Sequence, residues 1–476
     1  MAVPAPDPRR WLALAVVGAA FFMTILDVSI VNVALPTIAE KLHFSRGNIQ
    51  WVVTAYALTF GGFLLLGGRA ADLLGRRRVF MVGVVVFSAA SLVCGLASSE
   101  GVLIAARALQ GLGGAIISPA ALSIVSTTFT EGAERNKALG IWGALGGSGA
   151  AVGVILGGVL TKYLGWEWIF FVNVPVGAIV LAATRPIVHE SRVEVAERRY
   201  DPFGAVTVTG GLALLVYTMS RAPFVGWVTA RTILLLIASV ALVLAFLVIE
   251  RRVRAPLMPF DIFRVRTVAG ANIVGLLLGA VIFANFFVLT QYVQGVLGYS
   301  ALKAGLTFLA TAGTAVISAG VAQALVTRVG VKPILALGLV LMTGGMLWYT
   351  QIPVHGGFAS DLLPGYLLVG VGIAFSFVPV TIAALAGVGP DQAGLGSGLI
   401  NTAQQIGGAV GVALASTVYT SHIGKGRPTL KVLTDGYALA FWVMVAFGVA
   451  GFLATLAFIR REEIGEVPGM AAATTD

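Results

Sequence analysis

Leu26-Asp-Val-Ser-Ile-Val-Asn-Val-Ala-Leu-Pro36 closes the first long apolar run of the chain, and between Trp11 and Leu35 the only charged side chain is Asp27. A carboxylate at membrane depth costs about 3 kcal/mol or more unless it is neutralised, paired or turned toward water, so a lone one marks function by default. A group that can take up and release a proton there can couple proton movement to another step. The plainer reading is an aspartate paired permanently with a fixed cation or capping a broken helix.

The rest of the chain supplies the membrane. It has 476 residues, 58% hydrophobic and 11% charged, with a mean hydropathy of +0.94, values of a polytopic membrane protein. Uncharged runs of about 20 residues recur along it, which predicts spanning helices rather than the ten-residue alternation of a β-barrel. The opening run is longer than a signal-peptide core, lacks a small-x-small site after it and carries Asp27, so it reads as a span. The net charge of +10 is not a nucleic-acid signature. With loops assigned alternately, 21 of the 31 Lys and Arg fall on the side of the N-terminus and 9 on the other, the asymmetry of cytoplasmic loops. The N-terminus is therefore expected in the cytoplasm.

Several chemistries are excluded. Cys94 is the single cysteine and the four histidines lie in or beside loops, so neither a disulfide nor an intramembrane metal site is expected. No H-E-x-x-H, G-x-S-x-G or G-x-x-x-x-G-K-[ST] occurs, which argues against a membrane enzyme and an ATP-driven pump.

Moving outward from Asp27, a second span runs from about Ile49 to Gly67 and contains Tyr56. A very short basic turn follows, Gly68-Arg-Ala-Ala-Asp72-Leu-Leu-Gly75-Arg76-Arg-Arg78. Gly75 can supply positive φ, and Asp72 can cap a helix or accept from the arginines. The fourth span starts near Gly101 and holds Arg107, the one basic residue placed inside the hydrocarbon. At 1.5 Å per residue Arg107 lies about 9 Å below the outer start of its helix, and Asp27 about 24 Å above the inner start of the first. Both fall in the outer half of a core roughly 30 Å thick, where they can pair. A static bond from Arg107 to backbone carbonyls is the competing reading.

The fifth span is dense in glycine (Gly140, Gly143, Gly146, Gly147, Gly149, Gly153, Gly157, Gly158), a pattern that lets helices approach closely. Trp166-Glu-Trp-Ile-Phe-Phe-Val-Asn173-Val-Pro175 leads into the sixth. A charged linker over Arg185–Asp201 and two further spans precede a basic loop and six more spans, fourteen in all, which returns the C-terminus to the cytoplasm. Thr327-Arg-Val-Gly330-Val-Lys332 repeats the pattern of Asp72 to Arg77 at a distance of 255 residues, with Thr327 in place of the acid. The chain thus divides into 1–188, a six-helix bundle; 189–262, linkers with two extra helices; and 263–476, a second six-helix bundle with a short tail. Polar residues that can line a cavity between the bundles are Asn32, Tyr56 and Gln110 in the first, and Asn285, Gln291, Asn401, Gln404 and Gln405 in the second. For the second group, ordinary helix-to-helix hydrogen bonds are the commoner explanation. Phe283, Phe286 and Phe287 can face either a pocket or lipid.

The stretch around Asp27, the Gly68–Arg78 turn, the Arg107–Gly111 segment and the glycine-rich fifth span together resemble the major facilitator superfamily. With fourteen spans the chain looks like its fourteen-helix drug:proton antiporters. The resemblance implies two six-helix bundles that rock to give alternating access, and efflux driven by a proton gradient without a cofactor. It gives Asp27 and Arg107 the proton coupling, and Gly68, Asp72, Gly75 and Arg76 the conformational latch. It gives Gly153, Gly157 and Gly158 the antiporter motif of helix 5. Two positions depart from the pattern: Val154 stands where proline is usual, which predicts a straighter fifth helix, and Ser29 stands for threonine. The expected function is export of lipophilic neutral or monocationic drugs or antibiotics across a bacterial plasma membrane by a monomer with both termini cytoplasmic. The alternatives are a proton symporter or facilitator for a small nutrient, and a membrane sensor or scaffold that does not transport.

Overall fold

The computed structural model describes residues 7–44, 49, 51–130, 132–192, 201–253, 256, 258, 260–386, 388–389, 392–424 and 428–460. Linker residues 193–200 and the tail from 461 onward lie outside them. The described residues are almost wholly helical, as a chain with no water to satisfy its backbone requires. The first bundle is built from α1 (Arg10–Lys41), α2 (Trp51–Leu74), α3 (Arg76–Gly95), α4 (Glu100–Thr128) and α5 (Ala133–Tyr163). A broken sixth rod, α6 (Trp168–Phe171) and α7 (Asn173–Ile187), completes it. The hairpin α8 (Pro202–Val225) and α9 (Ala230–Glu250) follows. The second bundle comprises α10 (Arg266–Gly295), α11 (Ala301–Val329), α12 (Val331–Tyr349), α13 (Leu363–Ala384), α14 (Ala393–Ile423) and α15 (Leu430–Phe458).

Local chemistry sets the helix starts at one end of the molecule. Ser99, Thr229, Ser300 and Thr429 each accept from the third backbone N–H of the helix that follows, removing one orphan donor apiece. At the other end, which carries the arginine run and is called here the basic end, a single residue separates α2 from α3 and α11 from α12. Gly75 (φ +107°) and Gly330 (φ +96°) occupy those two turns. A left-handed φ at both, in the two segments whose sequences repeat, marks the halves as copies of one unit.

Thirteen helices among the described residues are long and apolar enough to cross a membrane, α6 and α7 counting together. The expected fourteenth is α5 (31 residues), in which the described residues include the apolar stretch Val152–Tyr163. The first turn of α5 carries Glu134, Arg135, Asn136 and Lys137, and glycines occupy its middle. It runs unbroken through Val154.

The bundles meet along two seams. On one, α5 packs on α11 and α13; on the other, α2 and α4 pack on α14. The α8–α9 hairpin lies over the second seam, α8 touching both α2 and α14 and α9 packing chiefly on α8. Trp227, in the turn of the hairpin, donates from Nε1 to Thr417 Oγ1 of α14 at 2.6 Å.

Candidate functional site

Asp27 and Arg107 meet. The Arg107 Nη1 lies 2.5 Å from Asp27 Oδ2, and neither side chain has meaningful exposure, 0% for the acid and 1% for the base. The pair is part of a larger cluster. Gln110 Nε2 donates to Asp27 Oδ1 at 2.7 Å and its Oε1 accepts from Arg107 Nη1 at 2.6 Å. Asn173 Nδ2 donates to Asp27 Oδ1 at 3.1 Å. Gln110 and Asn173 both also reach Ser91 Oγ, and Arg107 Nε donates to the Val52 carbonyl at 2.9 Å. Four helices, α1, α3, α4 and α7, each contribute a side chain. Arg107 and Gln110 sit three apart on α4, which places them on one face. A buried ion pair holds only when its polar atoms find partners, and here both Asp27 oxygens and the Arg107 Nε and Nη1 are hydrogen-bonded. The Tyr56 ring packs against the guanidinium, 4.4 Å from centroid to carbon.

Two cavity expectations change as a result. Gln110 and Tyr56 are buried inside the first bundle against Asp27 and Arg107, not facing the space between the bundles. The reason is electrostatic: an ion pair taken out of water draws in the nearest polar and aromatic side chains. Ser91 and Asn173 were not singled out from sequence. The signal for Asn173 was the N-V-P that follows an aromatic run, where a helix breaks and a polar side chain is free to turn inward.

A second site joins the bundles. Asp72, fully buried, accepts from Arg76 Nη2 at 2.7 Å on its own bundle. It also accepts from two backbone amides of the other, Gly394 N and Leu395 N, both at 3.0 Å. These are the second and third amides of α14, so the carboxylate caps that helix from across the seam, where the helix dipole favours negative charge. Gln392, at the cap position itself, makes no side-chain bond there. Gly68 permits the approach: a Cβ on it would strike the Gly394 carbonyl, and one on Gly394 would strike Gly68 and Asp72. Arg76 is held further by Ser123 Oγ at 2.7 Å and by Ser191. Gly68, Asp72 and Arg76 therefore meet at one contact at the basic end, while Gly75 forms the adjoining turn against Glu190.

The helix 5 glycines seat α5 on α1. A Cβ on Gly153 would lie 2.7 Å from the Leu26 carbonyl, and one on Gly157 would lie 2.9 Å from that of Ile30, which brackets Asp27 from the α5 side. Gly158 is half-buried. Val154, in place of the proline, fills the space left by Gly305 on α11 of the other bundle. Of the remaining polar candidates, Asn401 Oδ1 accepts from Ser118 Oγ at 3.2 Å, bridging α14 and α4 across the seam. Gln404 and Gln405 are half-buried on α14, the Gln404 backbone lying against Gly279 of α10. Asn285 is buried, and its Oδ1 has no partner among the described residues. Asn32 and Gln291 are exposed, and Asn32 donates to the Val28 carbonyl of its own helix. No group of three or more metal-ligating side chains occurs among the described residues.

Residues 17–412 match the family model described as Major Facilitator Superfamily. The chain belongs to that superfamily. Its members are membrane transporters. Among its relatives is the puromycin resistance protein pur8 of Streptomyces alboniger, 40% identical, with 98% of this chain and 95% of the relative covered. The cephamycin export protein CmcT of Amycolatopsis lactamdurans is 38% identical over 94% of this chain and 91% of the relative. The lincomycin resistance protein of Streptomyces lincolnensis is 32% identical over 87% and 86%. The fold is also that of the human organic anion transporter MFSD10, with a TM-score of 0.69 at 16% identity over 94% of this chain and 100% of that one. The proton:xylose symporter XylE superposes with a TM-score of 0.66 at 15% identity over 96% and 97%. The α2/α14 contact thus joins the bundles at the basic end, while Asp27 lies inside the first bundle.

Proposed function

We propose that this chain exports antibiotics or similar lipophilic drugs, neutral or singly charged, in exchange for protons. The basic end is read as cytoplasmic, the membrane as the bacterial plasma membrane, and the working unit as a monomer without a cofactor. The observation that carries the reading is the buried Asp27–Arg107–Gln110–Asn173 cluster within a two-bundle transporter fold. Relatives that are named for antibiotic resistance and export supply the substrate class.

The arrangement suggests how coupling works. Every group aimed at Asp27 is a donor, so the cluster as built accepts a carboxylate and has no acceptor for a carboxylic O–H. Protonation therefore breaks the pairing with Arg107, and a buried cation that loses its partner destabilises a structure by about 3–5 kcal/mol. An energy of that size suffices to exchange one packing of the bundle for another. Asp27 has no exposed surface in the present state, so proton exchange belongs to a second state in which water reaches it. Each ligand then favours a different state, which is the condition for coupling.

The test is drug efflux in everted vesicles energised by a proton gradient, with and without a protonophore, for the parent and for Asp27→Asn. Efflux that collapses with the gradient and is absent in inserted Asp27→Asn supports the reading. Full gradient-driven efflux in that variant removes Asp27 from the mechanism. A growth panel across puromycin-, cephamycin- and lincomycin-type compounds identifies the substrate.

A further inference from the structure

The donors around Asp27 are not mounted alike. Arg107 and Gln110 stand in the middle of the continuous α4, and Arg107 is tied also to the Val52 carbonyl. Asn173 stands on the first residue of α7; Val172, between α6 and α7, stays helical (φ −57°, ψ −29°), and Pro175, two residues on, has no N–H to bond back along the helix. The segment begins at Gly165 (φ +110°) and contains the four-residue helix α6. Three residues of this segment, Trp166, Ile169 and Phe170, are buried in an apolar cluster with Leu26, Ile30, Cys94, Leu103 and Ala106. That cluster covers the charged groups on the side away from the basic end, and the Phe170 ring lies 5.8 Å from the guanidinium carbon of Arg107. One short segment thus carries both an apolar cover over Asp27 and one of its hydrogen-bond donors.

We propose that Asn173 is the positioning residue for proton exchange at Asp27, mounted on a lid formed by Trp166–Phe170, so that opening the lid admits water and withdraws a donor in one motion. The inference rests on the proton reading of Asp27 given above. Among the described residues, the groups facing Asp27 leave no substitute for this donor. Arg107 on α4 is the one cation, Tyr56 on α2 and Cys94 on α3 are neutral neighbours, Ser91 already accepts from both amides, and α5 presents Gly149 and Gly153. A lid bounded by the left-handed Gly165 and by Pro175 moves without unwinding α1, α3 or α4.

The chain carries its own probe. Cys94 is the single cysteine, has no exposed surface and lies with its sulfur 3.7 Å from Gln110 Oε1, inside the covered space. Its rate of modification by a small membrane-permeant thiol reagent reports the lid directly. Phe170→Ala is expected to raise that rate at least tenfold, and an unchanged rate overturns the lid. The role of Asn173 is read from the pH profile of efflux in everted vesicles. Removing one hydrogen bond to a charged acceptor is expected to displace the profile of Asn173→Ala by about one to two pH units. Asn173→Ser, which keeps a shorter donor, is expected to fall between it and the parent, and it carries the test if the alanine variant does not fold. A profile superimposed on the parent's in a folded variant, beside an inactive Asp27→Asn, overturns the role of Asn173 alone. Undiminished gradient-driven efflux in Asp27→Asn overturns the proton reading and this inference with it.

Discussion

Replacing Asp72 by Asn is expected to open the basic end. Arg76 lies four residues from Asp72 on the same bundle, so their ion pair persists whichever side is open and cancels from the comparison. What differs between the states is the pair of bonds to Gly394 N and Leu395 N, both 3.0 Å and both made across the seam. A hydrogen bond to a charged acceptor contributes about 1.5–3 kcal/mol, and a neutral one about 1. Asparagine keeps one neutral acceptor and turns a donor toward the second amide, so the closed state loses about 2–5 kcal/mol. At 1.4 kcal/mol per factor of ten, the closed-to-open ratio falls on the order of 30- to 4000-fold. Ser118, buried on α4 and bonded to Asn401 across the same seam, provides the reporter as Ser118→Cys. Cys94 supplies a slow internal background because it is buried. Maleimide labelling of Ser118→Cys is expected to accelerate at least tenfold when Asp72→Asn is added. A change of less than about twofold would refute the assignment of Asp72 as the clasp.

Gly68→Leu is expected to prevent the closed contact altogether, since a side chain there meets the Gly394 carbonyl; transport should be lost while the protein still inserts, as judged by surface labelling against activity. Arg107→Ala leaves Asp27 buried and without its ion pair, which is expected to cost about 3–5 kcal/mol and to appear as a lowered midpoint of thermal unfolding in detergent. Double replacement with Asp27→Asn should recover much of that loss, and a double variant no more stable than Arg107→Ala would refute the pairing. Trp227→Phe removes the indole donor to Thr417 and is expected to weaken the docking of the α8–α9 turn by about 1 kcal/mol, read as faster proteolysis between Val225 and Ala230.

The architecture was legible because membrane helices announce themselves by length and apolarity, and because Gly75 and Gly330 repeat a turn that only a positive φ can make. The pairing of Asp27 with Arg107 was legible for a simpler reason: two lone opposite charges at one depth have few other partners. The sequence could not place Gln110 and Tyr56. On a helix surrounded on all sides by other helices, polarity alone does not tell a cavity from a buried network, because both need the same residue types. It also could not find the donor side of the Asp72 clasp, since Gly394 and Leu395 contribute only backbone amides.

The two seams are expected to open unequally. At the repeat of the Asp72 position stands Thr327, whose hydroxyl bonds back to the Gln323 carbonyl of its own helix at 3.0 Å. The N-terminus of α5, the counterpart of the α14 N-terminus, has Gly132 at its cap with no side-chain bond. The α5/α11 seam is held instead by close packing, Gly140 against Gln323 and Val154 against Gly305, and packing of small residues does not respond to the loss of a charge elsewhere. Asp72→Asn should therefore part α2 from α14 while α5 and α11 stay together and act as the hinge. Ala319→Cys, buried on α11 beside Gly140, is expected to label in the Asp72→Asn background within about threefold of its parent rate. The Ser118→Cys site should rise tenfold or more under the same conditions. Equal acceleration at both sites would mean that the bundles separate about another axis, and that the single carboxylate clasp does not set which seam opens first.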